Sequence, residues 1–132
     1  MGAVGYLLDT HTFLWSVREC GKLSNKARKV IEDVSNPLYI SSASTYEIMN
    51  KYRIGKLPGF VYEAEHFFDI VLTLGVNELS INMKHAHFAG KINWAHRDPF
   101  DRLLAAQAHI ENLTLITNDP IFQTFPSITL LW

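Results

Sequence analysis

Four of the six aspartates in this sequence stand where apolar or helical patterns begin or end. Asp9 follows the first apolar run, Asp119 follows a late apolar run, and Asp98 and Asp101 open a helical pattern. In open α/β sheets, ligands bind beyond the carboxyl ends of the strands, at the point where the strand order reverses. These four carboxylates could therefore converge in one pocket, although the sequence does not contain the strand order.

Carboxylates that converge repel one another, so such a pocket needs a compensating positive charge. Mg²⁺ and Mn²⁺ suit it, because hard divalent cations prefer carboxylate and water oxygens. An ion of this kind can orient a water, help to deprotonate it and stabilise charge on a phosphoryl group. A zinc site is disfavoured, since the chain has one cysteine and its six histidines are scattered without zinc-ligand spacing.

Each of these acids also has a purely structural interpretation. Asp98 fits a helix N-cap, and Asp101 fits the reciprocal partner in a capping box. Asp9 and Asp119 suit helix caps or turns. The segment Ser44–Glu47 also fits a capping box, which would account for its glutamate without any catalytic role. The residue types alone support a shared metal site and these structural interpretations equally.

Length and composition predict one soluble globular domain over residues 1–132, with 48% hydrophobic and 19% charged residues. Apolar runs alternate with helical patterns, which is typical of an α/β fold with a mainly parallel sheet. The predicted strands are Val4–Leu8, Leu38–Ser41, Val76–Leu79, Leu113–Thr117 and Ile128–Leu131. The predicted helices are His11–Val17, a helix capped by Ser24, Ser44–Lys51, Phe60–Leu74, Asn82–Ile92 and Asp98–Ile110.

Two of these helices carry more detailed expectations. The long helix Phe60–Leu74 should stop at Gly75, because glycine readily adopts the conformation that ends helices. The helix that Ser24 caps should bury one apolar face. That face comprises Ala27, Val30, Ile31 and Val34.

Charge is distributed unevenly around a formal net charge of −1. Residues 1–60 contain eight Lys or Arg against five Asp or Glu, and residues 61–132 contain four against eight. This asymmetry indicates either scatter over solvated faces or a basic rim beside an acidic pocket. The apolar runs are too short to cross a membrane, and the N-terminus lacks the basic region of a signal peptide. A cytoplasmic location is therefore expected.

Four segments, in order along the chain, resemble the four sequence motifs of the PIN-domain family. Leu7–Trp15 has an Asp-Thr pair after a predicted strand, and Ser42–Ile48 carries a helical glutamate. His96–Ala108, which begins His-Arg-Asp-Pro-Phe-Asp-Arg, is similar to the third motif of VapC-type bacterial toxins. Leu115–Phe122 contains the Thr-Asn-Asp-Pro of the fourth. The ordered set covers nearly the whole chain and is far more specific than any one segment.

The resemblance implies a three-layer α/β/α sandwich with a mainly parallel sheet, in agreement with the pattern above. It implies an acidic pocket that binds one or two Mg²⁺ or Mn²⁺ ions and hydrolyses single-stranded RNA, leaving 5′-phosphate and 3′-hydroxyl ends. It implies three partners: an RNA substrate, a cognate antitoxin that covers the pocket, and a second copy of the chain in a homodimer.

The resemblance also assigns roles by position in the motifs. Asp9 and Asp119 match metal ligands of the family, and Glu47 matches an acid that acts through a metal-bound water. Asp101 matches the third acid, shortly before the Leu-Leu-Ala-Ala run, so it is assigned as a ligand. Asp98 is assigned as a helix cap or as support for the ligands. Polar residues beside these acids are candidates to orient carboxylates or waters through hydrogen bonds. They are Thr10, Thr12, Thr117 and Asn118.

Other residues near the motifs have less definite expectations. Arg97 and Arg102 could contact RNA phosphate or the antitoxin, or could pair with neighbouring acids. An aromatic-rich stretch could form a groove for an antitoxin helix or belong to the core. It contains Phe60, Tyr62, Phe67 and Phe68. Of these, Phe68 is assigned to the core.

Other classes of protein are weighed against this assignment. A Mg²⁺-dependent phosphatase or phosphotransfer domain also places an aspartate after its first strand, but usually needs a late lysine. The last lysine here is Lys91, before the third motif. A PIN-like module that binds RNA or a protein without cutting is disfavoured, because the acids are intact. No glycine-rich loop follows the first strand, which disfavours a Rossmann or P-loop nucleotide-binding protein.

Overall fold

A central sheet of five parallel strands organises the chain, which the computed structural model describes over residues 5–132. The strands are β1 Tyr6–Leu8, β2 Leu38–Ser41, β3 Val76–Leu79, β4 Thr114–Ile116 and β5 Thr129–Leu131. Their order is β3-β2-β1-β4-β5, and every neighbouring pair is parallel. Each predicted strand is present within two residues of its predicted bounds, although Val4, the predicted start of the first, lies outside the described residues.

Within residues 5–132, seven helices connect the strands. They are α1 Thr10–Arg18, α2 Asn25–Glu32, α3 Ser42–Arg53, α4 Val61–Glu65, α5 Phe67–Thr73, α6 Met83–Lys91 and α7 Pro99–Ile110. Short 3₁₀ turns at Cys20–Lys22 and Pro120–Thr124 were not predicted. Over residues 5–132, no helix combines the length and apolar character needed to cross a membrane.

The helices cover both faces of the sheet, because successive residues of a strand point to opposite sides. Leu8 lies in one buried cluster with Phe13 of α1 and Ile48 of α3. Its neighbour Leu7 lies in a second cluster with Leu104 of α7. Helices α1–α5 therefore form one outer layer and α6–α7 the other. The predicted three-layer α/β/α sandwich is confirmed. Burial on both faces explains why β1, β2 and β4 are mainly apolar, whereas the edge strand β3 exposes its Asn77 and Glu78.

The strand order reverses beside β1. From β1 the chain proceeds through β2 to β3 on one side, then returns to place β4 on the other side of β1. Leu8 of β1 is in register with Ile116 of β4, so the residues that follow these two strands are neighbours. Those residues are Asp9 and Thr117. A reversal of this kind opens a crevice at the carboxyl ends of the strands.

Some helix expectations are confirmed and others are wrong. The side chain of Ser24 accepts a hydrogen bond from the backbone N–H of Ala27, as expected of an N-cap. Val34 does not belong to the buried face, because α2 ends at Glu32 and leaves Val34 fully exposed. Gly75 has a φ of +70°, in agreement with its predicted role after the end of α5.

The predicted helix Phe60–Leu74 is interrupted at His66. The backbone of His66 (φ −111°, ψ 24°) leaves the helical region, which ends α4 and begins α5 at Phe67. The core assignment of Phe68 is therefore wrong, because the restarted helix turns Phe67 inward, at 6% exposure, and leaves Phe68 82% exposed. An uninterrupted helical pattern in the sequence did not reveal this break.

Phe67 and Phe68 offer a matched pair for testing this packing. We expect Phe67→Ala to lower the free energy of unfolding by about 3–5 kcal/mol, since it empties a buried aromatic site. Phe68→Ala should change it by less than about 0.5 kcal/mol, because little surface is buried there. Urea unfolding followed by circular dichroism measures both. Equal effects of the two substitutions would contradict the break at His66.

Candidate metal centre and active site

Asp9 is a buried carboxylate at the end of β1. It is the N-cap of α1, and its Oδ1 accepts a hydrogen bond of 2.7 Å from the backbone N–H of Thr12. Its Oδ2 accepts a short hydrogen bond from the hydroxyl of Thr117. The side chain is nearly enclosed, at 6% exposure. Burial raises the pKa of Asp9, and the hydrogen bonds from Thr117 and Thr12 oppose that rise.

Glu47 lies on α3 and is tied to the residue that follows Asp9. The hydroxyl of Thr10 donates to Glu47 Oε1 at 2.7 Å, and the Thr10 oxygen lies 2.9 Å from Ser44 Oγ. Lys51 Nζ is 3.6 Å from Glu47 Oε2. The capping-box interpretation of this glutamate is wrong, because α3 begins at Ser42 after Ser41, which caps it, and Ser44 is already helical.

Asp101 stands in the first turn of α7 among other acids. Its Oδ2 is 2.7 Å from Nε2 of His96, in the loop before the helix. Partial burial raises the pKa of Asp101, and the hydrogen bond from His96 opposes that rise. Repulsion from Asp98 and from Asp119 raises this pKa further, so both carboxylates lie close enough to act on Asp101.

Asp98 and Asp119 each cap a helical segment. Oδ1 of Asp98 accepts from the backbone N–H of Phe100 at 2.9 Å, which fits its predicted role as a cap. Asp119 accepts from Ile121 N at 3.0 Å. The backbone N–H of Asp119 also donates to the hydroxyl oxygen of Thr117 at 3.1 Å. Thr117 therefore links Asp119 to Asp9 across the reversal of the strand order.

His96 is a site residue that the sequence analysis missed. Its imidazole, Asp98 and Asp101 each offer a ligand atom, and these atoms lie within 4.8 Å of one another. Among residues 5–132 this is the only such cluster, and Asp9, Glu47 and Asp119 do not join it at that distance. The available signal was the His-Arg-Asp-Pro-Phe-Asp spacing, but contact between His96 and Asp101 depends on how the loop folds.

The donor set suits a hard divalent cation. No Lys or Arg nitrogen in the described chain lies within 4.0 Å of the carboxylates of Asp9, Asp98, Asp101 or Asp119. Their charge is therefore not neutralised by an ion pair with Lys or Arg. Mg²⁺ commonly binds through one or two carboxylates and keeps several waters. The carboxylates of Asp98 and Asp101, whose ligand atoms lie within 4.8 Å of each other, suit that mode, in which waters complete the coordination.

Asn118 and Arg97 lie at the rim of the site. Both are exposed, and over residues 5–132 neither side chain makes a hydrogen bond to another protein group. Thr12, in contrast, is fully buried and donates through its hydroxyl to the carbonyl oxygen of Ile116, 3.0 Å away. Its side chain joins α1 to β4, and its backbone N–H donates to Asp9.

Arg102 is turned towards the backbone of the loop that carries His96. Its guanidinium donates hydrogen bonds to four carbonyl oxygens, at 2.8–2.9 Å. The acceptors are Ala89, Ile92, Trp94 and His96. Two of them belong to the C-terminal end of α6, where a positive charge is favourable. These bonds use four of the five N–H groups of the guanidinium and leave one on Nη2 for another acceptor.

Comparisons with known proteins agree with this geometry. Residues 6–127 match the PIN domain family, so the chain belongs to the PIN domain family. Over 65 residues it is 38% identical to Ribonuclease VapC16 of Mycobacterium tuberculosis. That match covers 49% of this chain and 45% of the relative, so the chain aligns with less than half of the relative's length. The expected membership of the PIN domain family is thus confirmed.

Solved structures with the same fold cover almost the whole chain. The toxin–antitoxin complex VapBC2 from Rickettsia felis, bound to a promoter DNA fragment, contains a chain that superposes with a TM-score of 0.73 at 22% identity, covering 96% of each chain. A chain of DNA-bound VapBC from Salmonella typhimurium gives 0.71 at 20% identity, covering 97% of each. At sequence identities of 22% and 20%, these two comparisons show a shared fold alone.

The network around Arg102 leads to a stability prediction. We expect Arg102→Met to lower the free energy of unfolding by about 2–3 kcal/mol, since partly buried carbonyls lose a charged donor. The matched control Arg97→Met removes the same charge from an exposed neighbour and should change it by less than about 0.5 kcal/mol. Urea unfolding measures both variants. Equal stabilities for Arg102→Met and the wild type would show that the loop does not depend on these bonds.

Asp9 leads to a prediction about pH. Because its pKa is raised on folding, the folded state binds its proton more tightly than the unfolded state. The free energy of unfolding should therefore fall as the pH rises from the ordinary aspartate pKa through the raised one. In EDTA, we expect Asp9→Asn to melt at a higher temperature than the wild type at pH 7. Asparagine retains a capping oxygen, so the helix keeps its N-cap.

The difference in melting temperature between Asp9→Asn and the wild type should shrink as the pH is lowered towards 4, because the wild-type carboxyl then becomes neutral. Asp33→Asn is the control: Asp33 is exposed, and hydrogen bonds from Ser35 lower its pKa, so its substitution should give no gain. Calorimetric melting temperatures between pH 4 and pH 8 distinguish the two. A lower melting temperature for Asp9→Asn at pH 7 would contradict an electrostatic penalty at this site.

Proposed function

We propose that this chain is a divalent-metal-dependent endoribonuclease and the toxin of a toxin–antitoxin pair. Membership of the PIN domain family supports the nuclease, as does similarity to a protein named as a ribonuclease. The observation that carries the proposal is the carboxylate of Asp9. It is buried at the reversal of the strand order, joined through Thr117 to Asp119, and unpaired with Lys or Arg in the described chain.

In this proposal Asp9, Asp101 and Asp119 hold Mg²⁺ or Mn²⁺, and Glu47 contributes through a water. When bound, the cation supplies positive charge that activates a water and stabilises charge developing on the phosphoryl group. Water adds to phosphorus, the bond from phosphorus to the 3′ oxygen breaks, and the proton passes to that oxygen. The products carry 5′-phosphate and 3′-hydroxyl ends.

The surrounding residues hold the acids in place. The hydroxyl of Thr117 and the backbone of Thr12 fix both oxygens of Asp9 from within the fold. Thr10 fixes Glu47, and His96 binds one oxygen of Asp101 and leaves the other available. Such supporting hydrogen bonds orient metal ligands and limit the rearrangement that binding requires. Asn118, at the exposed rim, is assigned to the orientation of waters or substrate.

The partners in the proposal are single-stranded RNA, a cognate antitoxin and a second copy of the chain. The complexes from Rickettsia felis and Salmonella typhimurium, whose chains share this fold, are toxin–antitoxin assemblies. A toxin that acts on cellular RNA works in the cytoplasm, which is the location we propose. The exposed Arg97 beside the third motif is free to contact RNA phosphate or the antitoxin.

Cleavage assays test the activity. We expect the wild-type protein to cut single-stranded RNA with Mg²⁺ or Mn²⁺, to lose this activity in EDTA, and to leave 5′-phosphate ends. Asp9→Asn should lower the rate at least a hundredfold, because it removes a charged ligand from the site. Asp33→Asn, an exposed aspartate remote from the motifs, should cut at the wild-type rate.

The chemistry of the product ends separates this mechanism from its main competitor. Products that end in a 2′,3′-cyclic phosphate would mean that the ribose hydroxyl attacked, and would contradict hydrolysis by water. Cleavage that persists in EDTA, or in Asp9→Asn at the wild-type rate, would contradict the assigned site. Because RNA targets can be narrow, the assay should include structured and unstructured RNA.

A further inference from the structure

A basic and aromatic cleft lies directly beside the acids. It has a volume of about 430 Å³, within the usual range for small-ligand sites. It lies between α1 and the segment that follows α3. The side chains that line it and carry the argument are His11, Trp15, Arg18, Lys51 and Lys56.

The cleft is continuous with the candidate metal centre on two sides. His11 is two residues after Asp9 on α1, and its ring lies 5.9 Å from the ring of Trp15. Lys51 lines the cleft and also lies 3.6 Å from Glu47 Oε2. The cleft therefore adjoins the acids through Lys51 and through the first turn of α1.

The cleft has a surplus of positive charge. Its one acid, Glu19, is paired with Lys22 at 2.9 Å, so its charge is already compensated. Arg18 lies over the ring of Phe60, 5.4 Å from its centroid, and its ion pair with Glu63 is long, at 3.9 Å. Lys56 is exposed, and no carboxylate in the described chain lies within 4.0 Å of its nitrogen. Cations next to an acidic pocket offer a site for phosphates that flank the one at the metal.

The aromatic side chains supply a second type of contact. Trp15 is half-buried, its ring lies 5.8 Å from that of Trp132, and Lys22 Nζ lies 6.0 Å from the centre of its ring. Nucleobases stack on such fixed aromatic rings in single-strand-binding proteins, in combination with cations that follow the backbone. An acidic peptide would pair with the lysines but would gain little from an indole ring.

We propose that this cleft binds the nucleotide of single-stranded RNA adjacent to the scissile phosphate, with its base against Trp15 and its phosphate near Lys56. The inference rests on the proposed ribonuclease function and adds the path of the substrate. Two independent features support it: the uncompensated charge of Lys56, and the half-buried ring of Trp15 on α1, the helix that Asp9 caps.

Binding measured without cleavage tests the cleft. A fluorescein-labelled single-stranded RNA of mixed sequence is titrated with protein in EDTA, with fluorescence anisotropy recorded at several salt concentrations. We expect Lys56→Met to weaken binding and to lower the slope of log K against log salt by about 0.7, the value for one phosphate contact on a single strand. Lys29→Met, which removes an exposed lysine on α2, should leave both the affinity and the salt slope unchanged.

Trp15 should show a different signature. We expect Trp15→Leu to weaken binding about tenfold with an unchanged salt slope, because stacking involves no counterion release. Trp15→Phe should retain most of the affinity. If Trp15→Leu does not fold, Trp15→Phe and the exposed Lys56→Met still decide the question. Tyr62→Leu, at an exposed aromatic residue outside this cleft, is the control.

The outcomes separate this inference from the proposed function. If Lys56→Met and Trp15→Leu both keep the wild-type affinity and salt slope, the proposal that this cleft binds RNA is wrong, even if the wild-type protein cleaves RNA. If these variants lose RNA binding and the wild-type protein shows no metal-dependent cleavage, the RNA-binding cleft is supported and the proposed nuclease activity is contradicted. If the same variants bind RNA normally but lose binding to an acidic peptide, the cleft receives a protein segment, and the RNA assignment is wrong.

Discussion

The burial of the Asp9 carboxylate is the constraint on which the rest of the site depends. A charge removed from water is costly unless hydrogen bonds or an opposite charge compensate it. Here a backbone N–H and the Thr117 hydroxyl provide the hydrogen bonds, but no Lys or Arg of the described chain provides the charge. This partial compensation raises the pKa of Asp9 and leaves the site suited to a cation supplied from outside. In the proposed function, the lower stability of the metal-free protein would accompany affinity for the cation, a trade-off seen at many functional sites.

The fold supplies this arrangement by placing β1 between β2 and β4. The residues that follow these strands then meet at one edge, and each is held by a contact that crosses between elements. Thr117 after β4 bonds to Asp9 after β1, and Thr10 at the start of α1 bonds to Glu47 on α3. Arg102 does the same for the loop before α7, where its four carbonyl bonds fix the segment that carries His96. The positions of the acids thus follow from rigid elements rather than from mobile loops.

Local patterns in the sequence predicted the elements well and their assembly poorly. The three central strands, β2, β1 and β4, are mainly apolar because both sheet faces are covered, and all five strands were predicted within two residues of their bounds. The N-caps at Ser24 and Asp98 follow from side-chain chemistry next to the backbone.

The break at His66 left no local trace, so Phe68 was placed in the core in error. Contact between His96 and Asp101, and the inward course of Arg102, depend on a loop whose path no local pattern specifies. The convergence of the acids required the strand order, which the sequence does not contain; the family resemblance supplied it.

A titration with Mn²⁺ tests the central claim, that Asp9 belongs to a site for a divalent cation. Isothermal titration calorimetry would compare the wild type with Asp9→Asn at pH 7.5, with circular dichroism to establish that both are folded. The account predicts saturable binding by the wild type and its loss, or a reduction of at least tenfold in affinity, in Asp9→Asn. Equal affinities in the two proteins, or no binding by the folded wild type at millimolar Mn²⁺, would contradict it.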